Sequence, residues 1–236
     1  MASILLAVSE GFGVLVFVLI GLAVAGAAYW QWQSRKRRLE GFMALAQRLG
    51  LRYSQEDAFG ILGEPFGLFR KGDGRGVEHV LDGTYREVPV RAFDYWYFDE
   101  STDSKGNRSR SYSRFSCALM PLEAGCFRLS MSPENVLTRL ADSLTFRDIE
   151  FESEAFNRAW NVTSDDAGFA HAFVDARMGD WLLANGAPHA FEVVGDRILV
   201  ARRRIDPSLY PAMLDAAIGF RAQVPKVVFD LYPRSG

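Results

Sequence analysis

Three things are scarce in this 236-residue chain: it has three histidines, two cysteines and, from Gly11 to Trp30, no charged residue at all. His79, His171 and His189 stand far apart with no paired spacing, so neither a zinc-binding helix nor a histidine-centred triad can be read. No metal, cofactor or catalytic residue is expected. An excess of charge of one sign is missing too. Glu10 is the only charged side chain before Arg35, which leaves 27 basic and 28 acidic groups over residues 35–236, a net of −1. That near neutrality excludes nucleic acid as the main partner, since dedicated binders carry a basic face or a basic total.

The cysteines are too few for a disulfide framework. Cys117 and Cys126 flank Pro121-Leu122-Glu123-Ala124-Gly125, which reads as a hairpin connection placing them on neighbouring strands as two small buried hydrophobes.

The uncharged stretch is the most informative feature present. Twenty apolar residues in a helix cover roughly 30 Å, the thickness of a bilayer's hydrocarbon. The stretch closes with Tyr29, Trp30 and Trp32 and then Arg35, Lys36, Arg37 and Arg38, an aromatic and cationic flank suited to an interface. Charge after the apolar run, with none but Glu10 before it, predicts a signal-anchor in the cell membrane: single-pass, N-terminus out, bulk of the chain cytoplasmic. Residues 1–34 are then the anchor (span about 11–32), 35–50 a basic amphipathic juxtamembrane helix ended by Gly50, 51–224 the cytoplasmic domain and 225–236 a tail.

Within the domain, Val77 to Tyr85 and Val88 to Asp99 read as strands. In the latter Phe93, Tyr95 and Tyr97 share one face and Asp94, Trp96 and Phe98 the other, the mark of a central strand covered on both sides. Residues 101–110 form a polar hairpin tip, and Tyr112 to Met120 returns as the partner strand. Ser132-Pro133-Glu134 opens a helix through Leu144. Residues 148–154 alternate as an edge strand. Helices follow over 165–173 and 176–183, then a hairpin of 191–194 and 198–201 around Gly195-Asp196-Arg197. A last helix runs from Asp206-Pro207 to about Gln223, with Leu209, Tyr210, Met213, Leu214, Ala217 and Phe220 on one stripe. Strand clusters interleaved with helices predict an α+β fold: an N-terminal transmembrane helix, then a mainly antiparallel sheet with packed helices.

Glu152, Phe156-Asn157-Arg158, Val162, Ser164, Asp166 and Phe169-Ala170 spell E-x-x-x-F-N-R-x-x-x-V-x-S-x-D-x-x-F-A. On these residues the chain resembles an uncharacterised bacterial family of single-pass membrane proteins, departing from it at Trp160, where phenylalanine is expected. The resemblance implies layout and no reaction. Glu154, Asn157, Arg158, Asp165 and Asp166 are the candidate lining of a pocket; equally, such residues cap helices and close turns, with Ser164 or Asp165 capping the helix that holds Phe169.

Three function classes follow. The first is an accessory or interaction domain whose partners are the lipid bilayer and a protein at the inner membrane face. The second is a small-molecule or lipid-binding module using the aromatic sheet face. The third is a hydrolase built on the acidic residues between 148 and 166.

Overall fold

The computed structural model describes the backbone of residues 2–134 and 147–234, and side chains from 19–134 and 149–234. The helix expected as far as Leu144 lies outside the described residues. Its expected opening, Ser132-Pro133, is instead the end of a strand, paired with Asn161 and Trp160.

The chain divides into two compact units, Met1–Gly41 and Phe42–Gly236. Helix α1 (Ala2–Leu49) begins in the first and ends in the second, where Gly50 at φ 67° stops it. In the first unit Trp30 and Trp32 are exposed, the Lys36 ammonium lies 5.5 Å above the Trp32 ring, and Lys36 pairs with Glu40 one turn on at 3.9 Å. The opening of the expected span, residues 11–18, falls outside the described side chains. Among the described residues no helix is long and apolar enough to cross a membrane. That finding overturns the expected transmembrane signal-anchor and the single-pass, N-out, cytoplasm-facing placement. Of the described side chains of α1, those of residues 19–34 are uncharged and Arg35 follows, about 24 Å of helix against the roughly 30 Å of a bilayer's hydrocarbon.

The second unit is α+β with an antiparallel sheet and packed helices. Its strands are β1 (Arg52–Glu56), β2 (Gly74–Tyr85), β3 (Val88–Thr102), β4 (Arg108–Pro133), β5 (Arg147–Asp148), β6 (Trp160–Ser164) and β7 (Ala190–Arg203). The order is β1-β2-β3-β4-β6-β5, with β7 also on β4. Leu119 pairs with both Arg91 of β3 and Leu199 of β7, and Leu129 with both Ser164 of β6 and Val193 of β7. A strand has two edges, so β3 and β6 share one edge of β4 in succession while β7 follows the other from Phe115 to Met131.

Two expected reversals are bends. The residues around Pro121–Gly125 do not turn β4 back, and Gly195 does not turn β7 back; each strand continues and stays paired with the other. Between the pairs Pro121↔Arg197 and Cys126↔Gly195, β4 spends five residues where β7 spends two. The outer strand of a curl travels farther, so β4 runs outside the bend and β7 inside, with Gly195 at φ 56° taking the tight corner. Cys117 and Cys126 therefore sit in different core clusters, free and buried, rather than on neighbouring strands. Burial pushes both thiols up, that of Cys126 to about 12.

Alternation along the strands divides the core between the sheet's two faces. Phe93, Tyr95, Phe115, Cys117, Leu119 and Leu199 meet Ile61, Phe66, Leu68 and Phe69 from two short 3₁₀ turns. Ala92, Ala118, Met120, Ile198 and Val200 face the helices: the end of α1, and α2 (Glu154–Ala159), α3 (Ala167–Phe173), α4 (Ala176–Trp181), α5 (Tyr210–Gln223) and α6 (Lys226–Leu231). The predicted α5 stripe is buried except at Leu209, which ends the preceding 3₁₀ turn half exposed. Short, polar β1 carried no strand signal, and α6 lies inside the expected tail with Val228 in the core.

Candidate functional site

The five residues proposed from the signature are placed individually. Asp166, not Ser164 or Asp165, caps α3, its carboxylate accepting the Phe169 amide at 2.6 Å, while the Ser164 hydroxyl accepts the Asp166 amide at 3.2 Å. Asp165 is exposed; its amide donates to the Arg128 carbonyl at 3.2 Å. Glu154 lies in the first turn of α2, and the exposed Arg158 donates back to the Glu154 carbonyl at 3.3 Å. Asn157 accepts the Phe151 amide at 3.0 Å and donates to the Phe151 carbonyl at 2.7 Å, standing in for a strand partner. The run expected as an edge strand pairs with β6 through Arg147–Asp148 and the Ile149 amide, which donates to the Val162 carbonyl at 2.9 Å, then leaves the sheet for the Ser153 cap of α2, where Asn157 supplies Phe151 with its hydrogen bonds.

This held segment forms one wall of a cavity of about 740 Å³ between α2, α3 and α4, lined by Glu150, Phe151, Glu152, His171, Asp175 and Asp180 among others. The five proposed residues are not among its lining. Asn157 matters to the cavity through Phe151 alone. We expect Asn157→Ala to cost about 1–3 kcal/mol from two lost, partly buried hydrogen bonds, read as a lowered urea midpoint with unchanged m-value. Among the described residues no group of three or more His, Cys, Asp or Glu is arranged to hold a metal ion.

The second feature was missed from sequence because strand register creates it. The last β2–β3 pair is Gly74↔Phe98, and β7 reaches β4 only as far as Phe115, so residues 99–113 form a two-stranded ribbon beyond the sheet. Directly opposed residues of an antiparallel pair point to the same side. The pairs Trp96↔Arg114, Phe98↔Tyr112, Glu100↔Arg110 and Thr102↔Arg108 therefore place three aromatics and three arginines on one face. The opposite face carries Asp99↔Ser111 and Ser101↔Ser109.

The aromatic face is built closely. Trp96 and Phe98 are nearly parallel, 13° apart with centroids at 6.3 Å, and Tyr112 packs at 5.5 Å from Phe98. Both rings lean over glycines of β2: a Cβ on Gly76 would meet the Trp96 ring at 2.6 Å, and one on Gly74 would strike Phe98. Arg110 lies over Phe98 at 4.6 Å and pairs with Glu100 at 2.9 Å; Arg114 lies over Tyr112 at 5.5 Å. The Trp96 indole donates to Glu78 at 3.0 Å. The two-sided cover expected for β3 thus holds at Phe93, Tyr95, Tyr97 and the buried Asp94 and fails at Trp96 and Phe98, which the helices do not reach. Tyr112 is 46 % exposed.

Behind this face two polar anchors hold the sheet. Asp94, 4 % exposed, accepts the Tyr210 hydroxyl at 2.8 Å and lies 3.5 Å from Arg204, fastening the start of α5 onto β3. Glu192 accepts the amides of Gly67 and Leu68 and pairs with Arg128 at 3.4 Å, fastening a 3₁₀ turn onto the other face.

These features define a class: an α+β domain on a curled antiparallel sheet, with one hairpin extended as an aromatic and arginine-bearing ribbon. No protein-family model matches the chain, and no curated protein matches it. Among solved structures it is similar to the crystal structure of the mycobacterial trehalose monomycolate transport factor A, TtfA, with a TM-score of 0.60 and 12 % identity over 84 % of this chain and 97 % of that one. At that identity the likeness is one of fold.

Proposed function

We propose that this chain is an accessory protein that handles lipid without chemistry of its own, and that the aromatic ribbon face is its lipid contact. The observation that carries the reading is the ladder of half-buried Trp96 and Phe98 with exposed Tyr112, edged by Arg110 and Arg114. Large amphipathic rings with one end apolar and one end wet, beside arginines whose stems lie along apolar surface, suit the boundary between water and acyl chain. Contiguous exposed apolar surface rimmed by polar groups marks contact sites. Support of a second kind comes from the fold shared with TtfA, a transport factor for trehalose monomycolate by its name. In this reading the segment 152–170 that resembles a bacterial family serves as scaffold, since Asn157 and Asp166 spend their side chains on local backbone.

The test is co-sedimentation of the full chain with vesicles of mixed phosphatidylcholine and phosphatidylglycerol, with Trp96→Ser, Phe98→Ser and Tyr112→Ser combined. Each partly exposed ring contributes about 1 kcal/mol or more of buried apolar area, so the triple variant is expected to bind at least about tenfold more weakly. A matching melting temperature shows that the ribbon is still folded. Vesicle binding equal to wild type in a folded triple variant overturns the proposal.

A further inference from the structure

We infer that the ribbon face selects an anionic lipid surface, an inference that rests on the lipid-contact reading and adds the headgroup charge. Arg108, Arg110 and Arg114 share the face with the three aromatic rings, against two acids that are already engaged: Glu100 pairs with Arg110, and Glu78 accepts the Trp96 indole. Lys105 stands at the tip beside them, and among the described residues the side chains of Lys105 and Arg108 make no ion pair or hydrogen bond. The acid of the tip, Asp103, is occupied: its carboxylate accepts the amides of Lys105 and Asn107 and the Asn107 side chain at 2.8 to 2.9 Å. Those bonds hold its pKa below the ordinary value, so it stays ionised but turned to its own loop. The opposite face, with Ser109 and Ser111, offers neither rings nor cations. Cations and rings thus coincide on one side of a ribbon whose other side is neutral or acidic.

Two polyanions fit a basic aromatic face, and the geometry favours lipid. Single-stranded nucleic acid needs open ring faces on which bases stack. Here Phe98 is taken on one side by the Gly74 backbone and on the other by Arg110, and Arg114 covers Tyr112. With those faces taken, rings and guanidinium groups stand side by side on the ribbon, an arrangement suited to a headgroup layer whose charge the cations meet.

The experiment compares the full chain on vesicles of phosphatidylcholine alone and on vesicles containing about a third phosphatidylglycerol. Each basic residue near an anionic surface strengthens binding about fivefold, so Arg108→Gln with Lys105→Gln is expected to lower affinity for the anionic vesicles by tenfold or more. Binding to neutral vesicles stays unchanged, and about 0.5 M salt abolishes the difference. Both side chains are exposed, and neither substitution removes a contact that folding uses. Equal wild-type binding to both vesicle types, or full anionic binding by the double variant, overturns the inference while leaving the lipid-contact reading intact. Loss of binding by the aromatic triple variant alone marks that outcome. Competition by millimolar inorganic phosphate overturns the inference in favour of a small-anion site. Single-stranded DNA bound more tightly than any vesicle overturns both readings, as does no binding to either vesicle type.

Discussion

Replacing Phe191 with alanine is expected to cost about 3–5 kcal/mol. Phe191 is 1 % exposed and sits on the inner arm of the β4–β7 curl, in register with Met131. Its ring stacks on Phe220 of α5 at 4.2 Å and 19°, with Trp160 of β6 at 6.1 Å and Trp181 of α4 at 6.2 Å. One side chain therefore joins the bent sheet to two helices, and its removal leaves a cavity that three rigid rings collapse into poorly. Stacked aromatic pairs add about 0.5–1.5 kcal/mol to the area term. For a domain of this size the expected fall in melting temperature is about 10 °C. Urea denaturation of Phe191→Ala beside Phe191→Leu measures it. A loss under about 1.5 kcal/mol for alanine means that the junction carries no such weight.

The second large effect is a loss of stability in mild acid that depends on His189. Its ring is buried beside Phe191, with Nδ1 3.1 Å from the Gly186 carbonyl and Nε2 without a protein partner. Burial, and after it the charge of Arg202, pushes the imidazole pKa down from 6.5 to about 4. In the unfolded chain the same ring protonates near 6.5. Between those values the unfolded state binds the extra proton, so stability contributed above pH 6.5 is lost progressively as pH falls toward 4. At 1.36 kcal/mol per unit the shift corresponds to about 3 kcal/mol. His189→Asn, which keeps a donor for Gly186 and does not titrate, is expected to flatten the slope between pH 6.5 and 4.5. An unchanged slope in that variant assigns the acid sensitivity to other groups.

Legibility varied with how local the cause was. The α5 stripe from Tyr210 to Phe220 and the Phe93-Tyr95-Tyr97 face could be read because helix and strand periods alone put those side chains on one side. Pro121, Gly125 and Gly195 were read as hairpin turns, and the reading failed for a definable reason. Positive φ and a missing amide serve a bulge as well as a turn, and the choice rests on which strand lies alongside. The same dependence hid the ribbon face. Nothing near Arg114 in sequence announces Trp96, eighteen residues earlier; a register of paired strands brings them level.

The sequence by itself determined the longer elements such as β3 and α5, which of their faces are apolar and where charge is withheld, since these follow from propensity and periodicity along one chain. The tertiary structure decided that the strands curl rather than reverse, that Asn157 and Asp166 are spent on scaffold, and that aromatic and cationic side chains gather on one exposed face. Those outcomes depend on neighbours distant in sequence, whose pairing energy is invisible until the sheet has formed.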